Sequence, residues 1–200
     1  EVRAERQSIN EIMGHKKLIL RIERIEPSKN ILRGFEAYSE LLELHPELRE
    51  KVTFLAILVP SRMQLDEYKW YLDEVMAVIG RINAEYGSGS WEPIRVLVGE
   101  NYHRAVAAMQ RYDVLLVNSI ADGMNLVAKE GPIVNEHAGR LILSERTGAR
   151  EQLESAAIVI SPCDVYATSQ ALYQALTMPE SECFERANKL RELVEQEDIM

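Results

Sequence analysis

The residues of this chain best suited to chemistry fall in three short stretches: Arg24 with Lys29, Arg62, and the run from Asp122 to Glu130. The last reads Asp122-Gly123-Met124-Asn125-Leu126-Val127-Ala128-Lys129-Glu130 and follows a continuous apolar run, Val114 to Val117. An apolar strand, a tight turn and a helix start in that order suit an anionic or polyhydroxylated ligand. Gly123 lets the backbone come close to such a ligand. The free N–H groups and the positive dipole end of a first helical turn favour phosphate or hydroxyl oxygens. Asp122 and Glu130 add carboxylates, which accept hydrogen bonds from sugar hydroxyls. The plainer alternative is a turn with a helix cap, in which Asp122 and Asn125 are ordinary capping residues. It leaves unexplained the Lys129-Glu130 pair at the helix start and the apolar Met124 in a polar turn.

Arg24 and Lys29 flank a rigid turn, Glu26-Pro27-Ser28, just before a second helix start. Two cations and a helix N-terminus form a diphosphate clamp. The plainer alternative is a solvated turn with surface ion pairs, the commoner state of an arbitrary Arg and Lys. Arg62, in Pro60-Ser61-Arg62, suits a phosphate at the same edge; on spacing alone it is a surface charge opening the next helix. Gly99-Glu100-Asn101-Tyr102-His103 is polar enough to frame a base or a sugar. Ser144 to Ala149 and Ser161 to Asp164 read as helix-cap regions, with Asp164 as an N-cap.

The elements that must position these residues alternate along the chain. Apolar runs predict strands over Leu18–Ile22, Val52–Val59, Ile94–Val98, Val114–Val117, Leu141–Leu143 and Ile158–Ile160. Helical spacing predicts helices over Ile31–Leu44, Gln64–Tyr86, Arg104–Arg111, Leu126–His137, Ala149–Leu153, Val165–Leu176 and Ser181 to about Glu195. In the long second helix, Trp70, Val75, Val78, Ile79 and Ile82 read as the buried side. The alternation predicts an α/β, Rossmann-like parallel sheet of six strands with helices on both faces. Ligands of such sheets bind beyond the carboxyl ends of the strands, where all three stretches fall. Residues 1–16 read as a helical lead-in, 17–180 as a Rossmann-like domain, and 181–200 as a terminal helix of the same domain.

Two hundred residues suffice for one full core. The net charge of −9 argues against a nucleic-acid or anionic-membrane surface. Cys163 and Cys183 lack metal-ligand spacing, and two thiols without a signal peptide fit a reducing cytoplasm. No apolar run approaches the ~18 residues of a membrane span. No Walker loop, metal-binding helix or nucleophile elbow occurs, so no metal and no cofactor is expected. The polar start and early first strand read as a domain excised from a longer protein.

Taken together these motifs resemble the trehalose-6-phosphate synthase family of retaining, nucleotide-sugar-dependent glycosyltransferases. The family's Asp-Arg-Leu-Asp-x-x-Lys-Gly stands here as Glu23-Arg24-Ile25-Glu26-Pro27-Ser28-Lys29-Asn30, its Pro-Ser-Arg as Pro60-Ser61-Arg62, and its Asp-Gly-Met-Asn-Leu-Val-x-Lys-Glu unbroken from Asp122 to Glu130. Leu141 to Glu145, Gly148-Ala149 and Ala175 to Pro179 are also similar, so the likeness spans roughly residues 17–180. The resemblance implies the carboxy-terminal, donor-binding half of a two-domain B-type (GT-B) glycosyltransferase. Arg24 and Lys29 would hold the donor diphosphate and stabilise it as it leaves. Asp122 with the backbone of Gly123, Met124 and Asn125 would hold the donor sugar. Leu126 and Val127 would lie near the base and phosphates, Glu130 would bind the ribose, and Arg62 would reach the acceptor's phosphate. The partners implied are a nucleotide-sugar donor such as UDP- or GDP-glucose, a sugar-phosphate acceptor such as glucose 6-phosphate, and an amino-terminal domain of the same protein. Three departures stand out: Glu23 for Asp, Asn30 for Gly, and Gly99-Glu100-Asn101 for a loop that usually carries Arg-Ser. They resemble a divergent branch that includes pseudo-glycosyltransferases joining cyclitols, such as validoxylamine 7′-phosphate synthase. A non-catalytic nucleotide-sugar-binding module is the third reading, disfavoured by the intact set of Arg24, Lys29, Asp122 and Glu130.

Overall fold

The apolar runs pair side by side in a computed structural model that describes residues 1–197. The strands are β1 (Lys17–Arg24), β2 (Val52–Val59), β3 (Ile94–Val98), β4 (Val114–Val117), β5 (Arg140–Ser144) and β6 (Ile158–Ile160). All five pairings are parallel, in the order β3-β2-β1-β4-β5-β6. The helices are α1 (Val2–Met13), α2 (Ile31–Leu44), α3 (Asp66–Tyr86), α4 (Tyr102–Arg111), α5 (Leu126–Val134), α6 (Arg150–Leu153), α7 (Val165–Thr177) and α8 (Glu180–Glu197).

Side chains alternate across each strand, so β1 feeds two cores. Ile19 joins Phe35 and Tyr38 of α2, Val75 and Ile79 of α3, and Leu172 of α7 on one face. Leu18 and Leu20 join Ile9 and Met13 of α1, Met109 of α4 and Leu190 of α8 on the other. The lead-in helix and the terminal helix are therefore both packed against the sheet. Burial on both faces explains why the strands are apolar throughout rather than alternating.

Several details differ from the sequence expectation: β1 runs on to Arg24 and α3 opens at Asp66 rather than Gln64. Trp70 is 67% exposed, and Tyr71 is buried in its place. At 100° per residue, Tyr71, Val75, Ile79 and Ile82 share one stripe and Trp70 falls outside it. Residue type suggested burial where helical phase denies it. Helix α5 stops at Val134, three residues short of His137. The Asn135 side chain donates to the carbonyls of Met109 and Tyr112 and accepts from the amides of His137 and Gly139, turning the chain back toward β5. Helix α4 starts two residues early, because the Asn101 side chain accepts from the Arg104 amide and caps it.

What positions the site is the strand order. The chain moves outward from β1 to β3, then returns to β4 beside β1 and moves outward the other way. The chain leaves β1 and β4 toward opposite edges of the sheet, so the loops after them meet at the switch point of a doubly wound sheet, the place of the ligand crevice in such folds. The exposed and buried stripes of α3 make opposite demands on stability. Ile82→Ala should cost about 2–5 kcal/mol, whereas Trp70→Ala should stay within about 0.5 kcal/mol of the parent, both read by urea denaturation.

Candidate functional site

The crevice is built from the loop after β1 upward. Pro27–Lys29 form one 3-10 turn, and Asn30 follows in the left-handed region at φ 57°, ψ 40°. Asn tolerates that region better than most side chains because it can bond locally. Here its Nδ2 donates to the carbonyls of Asn118 (2.9 Å) and Pro162 (2.6 Å). The departure from the family's Gly is thus accommodated in a conformation that Gly would also adopt. The turn buries Lys29 and aims its ammonium across the switch point. Lys29 Nζ lies 2.5 Å from Asp122 Oδ2 and 3.7 Å from Glu23 Oε2.

The loop after β4 meets it from the other side. Asn125 Oδ1 accepts from the Ala128 amide at 2.9 Å and is the N-cap of α5. Its Nδ2 donates to Asp122 Oδ2 at 3.0 Å. Asp122 is therefore not a helix cap. Its carboxylate is held by a cation and an amide at the mouth of the crevice. The loop after β5 braces it from behind: Gly148 N donates to Asp122 O at 2.8 Å, and Asp122 N to Arg146 O at 3.3 Å. That loop read as a cap region from sequence, and no local signal distinguishes a brace from a cap.

Arg24, at the end of β1, is mostly exposed and pairs with Glu26 Oε1 at 2.9 Å. Ser61 Oγ donates to the same oxygen, also at 2.9 Å, which ties the loop after β2 to the clamp. Arg62 follows at φ 50°, exposed, with its Nη1 donating to Tyr68 OH at 3.1 Å. Gly123, Met124 and Leu126 are exposed and Val127 is half-buried. Met124, Leu126, Lys129, Glu130 and Ile133 line a shallow cavity of about 320 Å³ along α5. The structure thus brings Lys29 and Asp122 into contact, with Arg24 paired to Glu26 at the end of β1, Arg62 on the neighbouring loop and Glu130 one helix turn into α5. The loop after β3 is committed elsewhere: Asn101 and Arg104 both bond Glu5 of α1.

Three cations, Arg21, Arg24 and Lys29, face three carboxylates, Glu23, Glu26 and Asp122. Glu23 is buried, and its Oε1 has no hydrogen-bond partner. Burial pushes its carboxyl up to about 7; Arg21 and Lys29 oppose that, and Asp122 adds to it. Among the described residues no group of three or more His, Cys, Asp or Glu is placed to hold a metal ion, and no helix is long and apolar enough to cross a membrane.

This fold defines the chain as a doubly wound α/β domain with paired charges at its switch point. Its sequence matches Glycosyltransferase family 20 along residues 1–200, and the chain belongs to that family. It is 35% identical over 198 residues to the bifunctional trehalose-6-phosphate synthase/phosphatase of Thermoproteus tenax, covering 98% of this chain and 27% of that protein. It superposes at a TM-score of 0.91, with 30% identity, on a UDP-forming alpha,alpha-trehalose-phosphate synthase from Burkholderia xenovorans in complex with glucose-6-phosphate, covering 95% of this chain and 42% of that one. It superposes at a TM-score of 0.89, with 28% identity, on an E. coli trehalose-6-phosphate protein bound with UDP-2-fluoro glucose, covering 98% of this chain and 46% of that one. The chain thus spans less than half the length of these proteins.

Two outcomes follow from the geometry. A Cβ on Gly148 would sit 1.9 Å from the Gly123 carbonyl oxygen, so Gly148→Ala should displace the Asp122 loop, seen as amide shifts spreading from Gly148 to Asn125 in an NMR spectrum. The second concerns pH. The unfolded Glu23 ionises near 4.5 and the folded one only near 7, so wild-type stability is progressively lost as pH rises through that window. The stability of Glu23→Gln relative to wild type should rise by on the order of 3 kcal/mol between pH 4.5 and 7; a difference independent of pH would contradict the buried, proton-holding Glu23.

Proposed function

We propose that this chain is the donor-binding part of a retaining glycosyltransferase that transfers a glucosyl group from UDP-glucose to a sugar phosphate such as glucose 6-phosphate. The observation that carries the reading is the Lys29–Asp122 pair at the switch point, set within the unbroken Asp122 to Glu130 motif. The names of the relatives, UDP-forming synthases and complexes with glucose-6-phosphate or UDP-2-fluoro glucose, support the choice of donor and acceptor. The greater length of those relatives supports a further domain of the same protein, which would complete the acceptor pocket.

In this reading the donor diphosphate takes Lys29 away from Asp122 and Arg24 away from Glu26. Both cations then lie against the oxygens that gain charge as the sugar departs. Asp122, released from Lys29, accepts from sugar hydroxyls, with Asn125 keeping it oriented. Gly123 to Asn125 supply backbone close to the sugar, Leu126 and Val127 flank the base and phosphates, and Glu130 accepts from the ribose hydroxyls. The N-terminus of α5 adds its positive dipole end near the phosphates. Arg62 faces outward from the neighbouring loop, where it meets the acceptor's phosphate. No covalent enzyme nucleophile is required, because the chain's contribution is charge stabilisation preorganised for the leaving group.

In the complete enzyme, Arg24→Ala and Lys29→Ala should each lower kcat about 10²-fold, by analogy with the loss of one preorganised donor. Transfer at the wild-type rate in both variants would refute the clamp. In this chain alone, calorimetric titration with UDP, GDP and ADP should show binding of UDP that Arg24→Ala weakens, and no transfer activity.

A further inference from the structure

Arg21 is the largest fully buried side chain in the described structure, and it lies within a run of apolar strand residues. A buried cation is costly unless its charge and donors are matched, and an aliphatic residue would serve the sheet core better. The terminal nitrogens of Arg21 donate to the crevice loops, while its buried Nε has no hydrogen-bond partner. Nη2 donates to the Lys29 carbonyl and Nη1 to the Ile31 carbonyl, each at 3.2 Å, and Nη2 also donates to Asn118 Oδ1. Asn118, at 1% exposure, opens the loop after β4 and donates its Nδ2 to the Asn30 carbonyl at 3.2 Å. Three consecutive carbonyls, Lys29 to Ile31, are thus held by one guanidinium and one amide. The room for the guanidinium is made by Gly34 of α2, where a Cβ would stand 2.6 Å from Arg21 Nη1.

We propose that Arg21 and Asn118 form a buried positioning pair that fixes the backbone of Lys29 and locks the loop after β1 to the loop after β4. The pair does not touch the donor; it acts through Lys29, and in this it rests on the donor-site reading above. Lys29 is the only residue of the proposed clamp whose backbone carbonyl is held by the buried guanidinium. Loosening the pair should therefore weaken recognition of the second phosphate selectively and spare the nucleoside and first phosphate.

The test is calorimetric titration of this chain with UDP and with UMP for wild type, Lys29→Ala, Arg21→Met and Asn118→Ala, with circular dichroism and thermal melts to establish folding. Wild type should bind UDP more tightly than UMP, and Lys29→Ala should sharply reduce that preference, leaving Arg24 to hold the diphosphate; if the preference is unchanged, the donor-site reading fails and the proposal falls with it. Where that reading holds, Arg21→Met and Asn118→Ala should each lower the UDP-to-UMP affinity ratio about tenfold, with UMP affinity within about twofold of wild type. If Arg21→Met does not fold, Asn118→Ala decides alone. A ratio unchanged in the folded variants, an equal loss of both nucleotides, or unfolding of both variants would overturn the proposal. The last two outcomes would make the pair a support of the whole domain rather than of Lys29.

Discussion

The ion pair between Lys29 and Asp122 is the contact on which the candidate site depends, because it is made across the one place where the sheet changes direction. Everything that brings the two side chains within 2.5 Å is inherited from the fold. Strands β1 and β4 are neighbours although five helices and strands, α2 to α4, separate them in sequence. The 3-10 turn and the left-handed Asn30 redirect the chain so that Lys29 points back over the sheet edge. The loop after β5 supplies the bracing carbonyl and amide that keep Asp122 in place. With side chains about 10% exposed on both partners, the pair is poorly screened and its geometry matters more than its count.

The charge balance of the crevice explains how such a pair can also be a working element. Cations and carboxylates match one for one by number, so the crevice carries no large uncompensated charge to destabilise the fold. In the proposed function, an incoming diphosphate exchanges partners with charges already in place, and the exchange releases carboxylates suited to hydroxyl groups. Glu23 sits beneath this exchange with a carboxyl that burial has pushed up to about 7, so the protonation of the crevice responds to the same charges that the ligand brings. The family to which the chain belongs gives this arrangement a setting, and the chain spans 27% of the length of its Thermoproteus tenax relative.

Much of this was legible in the sequence. Continuous apolar runs separated by helical spacing define a parallel sheet without ambiguity, because only burial on both faces tolerates strands such as Val52–Val59. The motif from Asp122 to Glu130 pointed to the carboxyl end of β4, where Asp122 meets Lys29. What the sequence concealed is long-range. Trp70 looked buried by type but falls off the stripe set by Tyr71, Val75 and Ile82. Asp122 and Asn125 are equally good caps on paper, and only the approach of Lys29, 93 residues away, decides that Asn125 caps and Asp122 pairs. Arg21 was hidden inside an apolar run, and its significance lies in carbonyls of another loop. The one available signal was the charge itself, a residue too costly to bury without partners.

The most direct test of the account is an NMR titration of the amide-labelled chain with UDP-glucose. The account predicts that the largest shifts arise together at two separated segments, Arg24 to Ile31 and Asp122 to Ala128, with a smaller response at Gly148 through its bond to Asp122. Shifts confined to one segment, or centred on the opposite end of the sheet around Lys16, Lys17 and Lys51, would contradict a donor site built across the switch point.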